Sequence, residues 1–161
     1  KKFFSQLSFC IITISDRVSN NYYRDYSGII LKKIILDEGG KIFVYVVVPD
    51  IIISIINVVK FISKVYCPSV IFTSGGTGLS EFDVTPDSLS CLFDKCIPGI
   101  GELLRSVGSK HNINSWLSRN LSGIYNKTLI VTLPGSPNAV RESGFYLKKI
   151  VFHAVNIIKR L

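Results

Sequence analysis

At 161 residues the chain has the length of one domain, typically about 100–200 residues, and it is 47% hydrophobic and 19% charged with a mean hydropathy of +0.37. These values exclude a disordered polyelectrolyte and any collagen-like or low-complexity class. Nineteen Lys and Arg against eleven Asp and Glu give a net charge of +8, but the basic residues occur as pairs such as Lys32-Lys33 and Lys148-Lys149, with no Arg-rich stripe or interleaved aromatics. The charge therefore reads as solvated helix faces, with no nucleic-acid partner and at most a preference for a small anionic ligand such as a nucleotide.

Residues 9–14, Phe-Cys-Ile-Ile-Thr-Ile, are a short apolar run rich in β-branched side chains, as in a strand buried on both faces of a parallel sheet. Residues 15–26 read as a loop. Ser27 is predicted to cap a helix over 27–38 that Gly39-Gly40 stops, and 42–48 read as a second strand. Residues 42–62 together approach the length of about 20 residues that crosses a bilayer. Pro49-Asp50 sits in the middle of that stretch, however, where a carboxylate costs about 2.5–3.5 kcal/mol and the proline lacks a backbone donor. Strand, turn and helix is the simpler division, and no membrane association is expected.

Asp50 is predicted to cap a helix running to about Lys64, with Ile51, Ile55, Val58, Val59 and Ile62 on one side. Residues 69–73 form a third buried run leading into Ser74-Gly-Gly-Thr-Gly78. Thr85-Pro86-Asp87 carries the signature of an N-cap, a proline at the first helical position and a first-turn acid. A helix over 99–110, a pair of short edge strands within 115–125 and a strand over 128–133 follow. Ser136-Pro137 then opens a C-terminal helix to about Lys159, with a break predicted near Lys149. The alternation predicts a single α/β domain over residues 1–161, a three-layer α/β/α arrangement with a mostly parallel sheet and helices on both faces. In such sheets ligands sit at the carboxyl ends of the strands, and the distinctive loops all fall there.

Cys10, Cys67, Cys91 and Cys96 show neither a CxxC nor a His-partnered spacing, so they read as unpaired thiols in a reducing compartment. Residues 1–8 lack the continuous apolar stretch of a signal peptide, and the chain reads as cytoplasmic. His111 and His153 stand isolated and read as structural. The Ser74–Gly78 loop matches neither GxGxxG nor GxxxxGK[ST], yet its glycines allow close backbone approach and free amides, as in an anion-binding nest. Asp83 precedes the predicted cap and is free for a metal or substrate, whereas Asp50 suits both capping and catalysis. Two carboxylates beside a phosphate nest suit magnesium held against a nucleotide. Ser136-Pro-Asn138 offers the free amides of a helix N-terminus, an anion site or an ordinary cap.

Taken together, Thr13-Ile-Ser-Asp16, Val48-Pro-Asp50, the stretch from Thr73 through Gly-Gly-Thr-Gly to Asp-Val-Thr-Pro-Asp87, Ile97-Pro-Gly-Ile-Gly-Glu102, Leu117-Ser-Arg119 and Leu133-Pro-Gly-Ser-Pro-Asn-Ala-Val140 resemble the MoaB/Mog family of molybdenum-cofactor biosynthesis, which includes the plant and gephyrin G domains. The resemblance implies a homotrimer that transfers AMP from ATP to the phosphate of molybdopterin with Mg2+ and passes its product to a molybdate-insertion protein or domain. It implies Asp50, Asp83 and Ser118 as catalytic residues, with Asp50 and Asp83 also at the metal. It further implies Ser15, Asp16, Gly75, Gly76, Thr77, Gly78, Pro134, Gly135, Ser136, Pro137, Asn138 and Ala139 as lining the ligand pocket, and Arg119 on phosphate. Two other readings stay open: a MoaB-type pterin-binding or scaffold domain without adenylylation, and a nucleotide hydrolase on a related domain. Ile51 after Pro49-Asp50, where many relatives carry an acid, and a mixed Pro-Gly-Ser-Pro loop leave the branch of the family open.

Overall fold

The computed structural model describes residues 2–159. Its six-stranded sheet has the order β2-β1-β3-β6-β5-β4, built from β1 (Ser8–Ile14), β2 (Lys41–Val48), β3 (Val70–Ser74), β4 (Lys95–Cys96), β5 (Ser122–Tyr125) and β6 (Thr128–Leu133). The first four strands in that order are parallel and the last two antiparallel. The helices are α1 (Asp16–Ser19), α2 (Tyr26–Asp37), α3 (Ile52–Val65), α4 (Thr85–Ser90), α5 (Pro98–Ser109) and α6 (Pro137–Lys159), with a 3-10 helix at Ile113–Leu117.

Strand alternation divides the core in two. Phe9 and Ile11 point with Phe72, Leu129 and Val131 toward Leu31 and Ile35 of α2 and Leu147 and Val151 of α6. Cys10, Ile12 and Ile14 point with Ile71 and Ile130 toward Ile55, Val59 and Ile62 of α3 and Leu89 of α4. Strands buried on both faces read as continuous apolar runs, which is why β1, β3 and β6 stood out in the sequence. At the β5–β6 turn Asn126 and Lys127 both have positive φ, +47° and +62°, the backbone that tight hairpins favour.

Three predicted caps turn out to be tertiary contacts. Asp25, not Ser27, caps α2, accepting from the Gly28 amide at 2.8 Å, while Ser27 Oγ donates to the Gly135 carbonyl at 2.6 Å. Asp50 does not cap α3, which begins after a half-exposed Ile51 with no side-chain cap. Thr85 lies inside α4, and its Oγ1 donates to the Gly75 carbonyl at 2.8 Å. The segment 115–125 holds the end of the 3-10 helix and only one strand, β5, whose outer partner is β4. The predicted loop 15–26 contains the single helical turn α1, and α6 runs unbroken past Lys149. Among the described residues no helix is long and apolar enough to cross a membrane.

Candidate active site

At the carboxyl ends of β1, β2, β3 and β6 the connecting loops enclose two cavities, of about 630 and 210 Å³. Between them runs the β6–α6 junction, whose Gly135 and Pro137 line the larger and Pro134 and Ser136 the smaller, and its bonds to the β3–α4 loop make the two a partition. The Gly75 amide donates to the Leu133 carbonyl at 3.1 Å and Ser74 Oγ to the Pro134 carbonyl at 3.1 Å. Gly75 has φ +103°, and a Cβ there would run into the Ile14 carbonyl oxygen. Gly76 has φ +63° and passes so close to Thr85 Oγ1 that it too has no room for a side chain. Only glycine adopts both conformations without strain while letting backbones touch.

The predicted residues divide between the two cavities. Ser15, Asp16, Asp50, Gly75, Gly76, Asp83, Gly135 and Pro137 line the larger; Ser118, Pro134, Ser136 and Ala139 line the smaller. Thr77 and Gly78 line neither: Thr77 is buried with its Oγ1 3.4 Å from Ser118 Oγ, and the Gly78 carbonyl accepts from Arg119 Nε at 2.9 Å. Asn138 turns instead to its own helix, accepting from Arg141 Nη1 at 3.1 Å. Ser136 does serve as a cap, accepting from the Ala139 amide at 3.2 Å.

Asp16 and Asp50 are locked together by exchange: the Asp16 amide donates to Asp50 Oδ2 at 2.8 Å, and the Asp50 amide to Asp16 Oδ1 at 3.0 Å. Burial raises the Asp50 carboxyl above its usual range, and the carboxylates of Asp16 and Asp83 add to that rise against the Asp16 amide bond. Asp83 goes the other way. Burial pushes it up, but the Ser80 hydroxyl (2.6 Å) and amide (3.0 Å), the Gly78 amide and the Arg119 charge together hold it below its usual value. The two carboxyls are thus shifted in opposite directions.

Arg119 is not free for phosphate. Its guanidinium donates to the Gly78 and Asp83 carbonyls and pairs in both prongs with Asp87 at 3.0 Å, which holds the Asp87 carboxyl low. It clamps the 78–87 loop to the start of the 118–121 segment. The cations that do line the larger cavity are Arg17 and Arg24, neither of which has an ion-pair partner among the described residues. Asp25, Tyr23, Tyr26 and Phe82 join them there. None of these six was singled out from the sequence: residues 17–26 offered no motif, and Phe82 lay inside the Thr73–Asp87 stretch without a role of its own; two arginines in a loop that follows a buried strand were the available signal.

This arrangement has known counterparts. Residues 10–151 match the family described as probable molybdopterin binding domain. The chain belongs to that family. This molybdopterin-binding-type domain is 35% identical to a molybdopterin adenylyltransferase of Helicobacter pylori over 82% of this chain and 76% of the other. It is 36% identical to molybdenum cofactor biosynthesis protein B of Bacillus cereus, covering 81% of this chain and 78% of that one. Its fold superposes on the molybdopterin biosynthesis enzyme MoaB of Thermus thermophilus with a TM-score of 0.91 at 30% identity, over 97% of this chain and 98% of that one.

Proposed function

We propose that this domain transfers AMP from ATP to the phosphate of molybdopterin. The observation that carries the reading is the pair of cavities on either side of the β6–α6 junction, whose Gly135 and Pro137 line the large charged one and Pro134 and Ser136 the small one, so that two ligands can meet across it. The larger, with Arg17, Arg24, Asp50 and Asp83, suits a nucleotide; about 630 Å³ lies within the roughly 300–1,000 Å³ of small-molecule sites. The smaller, about 210 Å³ and below that range, has Ser118, Ser136 and Ala139 on its walls and would take the pterin ring rather than the whole of molybdopterin. The phosphate of molybdopterin would then lie at the partition, within reach of the backbone of Gly75–Gly78 and of the Ser118 and Thr77 hydroxyls.

In the reaction a phosphate oxygen of molybdopterin attacks the α-phosphorus of ATP. The bond from that phosphorus to the bridging oxygen breaks, and pyrophosphate leaves with the electron pair. The chain offers no nucleophile of its own here, so its contribution is alignment and charge neutralisation. Asp50 and Asp83 fit a magnesium ion, which prefers one or two carboxylates plus substrate phosphates. Burial raises Asp50 most and the carboxylates of Asp16 and Asp83 add to it, a cost that a bound divalent cation would offset, and among the described residues no cluster of three or more acidic, His or Cys side chains forms a dedicated metal cage. Such an ion supplies neutralisation of the phosphate charge. Asp16 and Asp50 position each other through their exchanged amide bonds.

The half-exposed apolar side chains Ile52, Ile53, Phe61 and Val65 on α3 support assembly into a trimer, and three exposed unpaired thiols, Cys67, Cys91 and Cys96, support the cytoplasm as its compartment. The test is pyrophosphate release, measured with ATP and magnesium in the presence and absence of molybdopterin. Release that requires the pterin is expected. Binding of both ligands with no release would leave a carrier or scaffold, and release of ADP or AMP without pterin a hydrolase.

A further inference from the structure

The larger cavity is lined by more than the groups that the transfer derived above uses. Thr13, Ser15, Ser74, Gly75, Gly76 and the carboxylates present hydroxyls, amides and charge. The lining also presents three rings from two separate stretches of chain. Tyr23 and Tyr26 flank Arg24 before and at the start of α2, and Phe82 stands beside Asp83 on the opposite loop. They are 62%, 51% and 66% exposed. Single exposed aromatics are ordinary; three that converge on one charged cavity call for a ligand with a π-face. Tyr26 is already engaged, with the Arg24 guanidinium carbon 5.7 Å from its ring centroid, inside the range of a cation–π contact. That contact engages Tyr26 and leaves the exposed rings of Tyr23 and Phe82 for a ligand.

We infer that Tyr23 and Phe82 form the base subsite of the larger cavity, taking the planar base of a nucleoside triphosphate by stacking while Arg17 and Arg24 take its phosphates. The inference rests on the assignment of that cavity to the nucleotide. Stacking needs only a π-face, so the base contributes affinity here without an array of directional hydrogen bonds. Charge complementarity accompanies it: the two cations line the same cavity as the rings, and the ligand that matches both is a flat heterocycle bearing a polyphosphate.

The test is calorimetric binding of magnesium ATP and of inorganic tripolyphosphate to the whole chain, as wild type, as Tyr23→Ala/Phe82→Ala and as Tyr23→Phe/Phe82→Tyr. Both positions are exposed, so the alanine variant should retain the wild-type circular dichroism spectrum and urea midpoint. Its affinity for ATP is expected to fall roughly 5- to 100-fold, the range for loss of base–aromatic stacking. Tripolyphosphate should bind as before, and the aromatic-retaining variant should bind ATP like wild type. Unchanged ATP affinity, or an equal loss for both ligands, overturns the base subsite. If pterin-dependent pyrophosphate release persists while the alanine variant binds ATP normally, the subsite fails alone; if wild type binds no ATP, the nucleotide cavity fails with it.

Discussion

The two walls of the larger cavity are built in opposite ways. The inner wall, residues 74–87, is pinned from every side: Gly75 to β6, the Thr85 amide to the Gly76 carbonyl at 3.0 Å, Thr85 Oγ1 to the Gly75 carbonyl, and Arg119 across its outer edge. The outer wall, residues 15–28, buries nothing in α1 and leaves Tyr22 82% exposed. It is held at its two ends. The Ser15 amide donates to the Val48 carbonyl at 3.0 Å, while at the far end Ser27 reaches Gly135 and the Tyr45 hydroxyl donates to Asp25 Oδ2 at 2.6 Å. Groups that must sit within tenths of an ångström of a reacting phosphorus belong on the pinned wall. Groups that grip a ligand tolerate the tethered one.

If that contrast is right, the largest effect comes from the carboxylates, Asp83 on the pinned wall and Asp50 fixed between β2 and α3 by its exchanged bonds with Asp16. Asp83→Asn and Asp50→Asn should each lower kcat on the order of 10²–10³-fold, the scale for removing one preorganised electrostatic group, with ATP affinity far less affected. Their effects on stability should have opposite signs. The low carboxyl of Asp83 contributes stability that is present above its unfolded value near 3.8 and is lost as pH falls through its lower folded value. The raised carboxyl of Asp50 favours the fold below 3.8, and that contribution is lost as pH rises through its folded value. At neutral pH Asp50→Asn should therefore leave the urea midpoint unchanged or higher, and a large drop would contradict the pKa shift read from the site.

Next in size is Gly75→Ala. A positive φ and the Ile14 carbonyl together predict a loss of about 2–4 kcal/mol by urea unfolding; a fully stable variant would show that the partition is less rigid than drawn. Arg119→Met should cost about 1–2 kcal/mol, since its ion pair with Asp87 is partly screened by solvent and its carbonyl bonds remain the larger part. The Asp87 carboxyl is held low chiefly by its hydrogen bond to Arg119, so this variant should also lose less stability than wild type as pH falls below about 4. The smallest effect is expected at the tethered wall. Tyr45→Phe removes one hydrogen bond, about 1 kcal/mol, and should raise KM for ATP a few-fold with kcat held; a fall in kcat comparable to that of Asp83→Asn would erase the distinction between the walls.

The sequence made one wall far more legible than the other. The Gly-Gly-Thr-Gly loop was visible because close backbone approach admits only glycine, and β1, β3 and β6 because two-sided burial leaves no polar alternation. Ser27, Asp50 and Thr85 were misread as caps for a shared reason. Each has a side chain that bonds nearby amides when local geometry allows, and only the fold shows that its partner is instead a separate loop, as for Ser27 and Asp50, or the far end of its own loop, as for Thr85. Arg17, Arg24 and Phe82 were missed because nothing in their spacing marks them; their role depends on where α1 and the 78–87 loop come to rest. Arg119 was misassigned because its family-like setting said nothing of Asp87, to which the helical turn of α4 brings it.

The most direct test of the account is single-turnover transfer of the α-phosphoryl group of α-labelled ATP by wild type and Asp83→Asn, each with magnesium and molybdopterin. The account predicts label appearing on the pterin with one pyrophosphate released per transfer in wild type, and transfer slowed at least a hundredfold in a folded variant that still binds ATP. Label left on ATP by a wild type that holds both ligands, or full-rate transfer by Asp83→Asn, would contradict it.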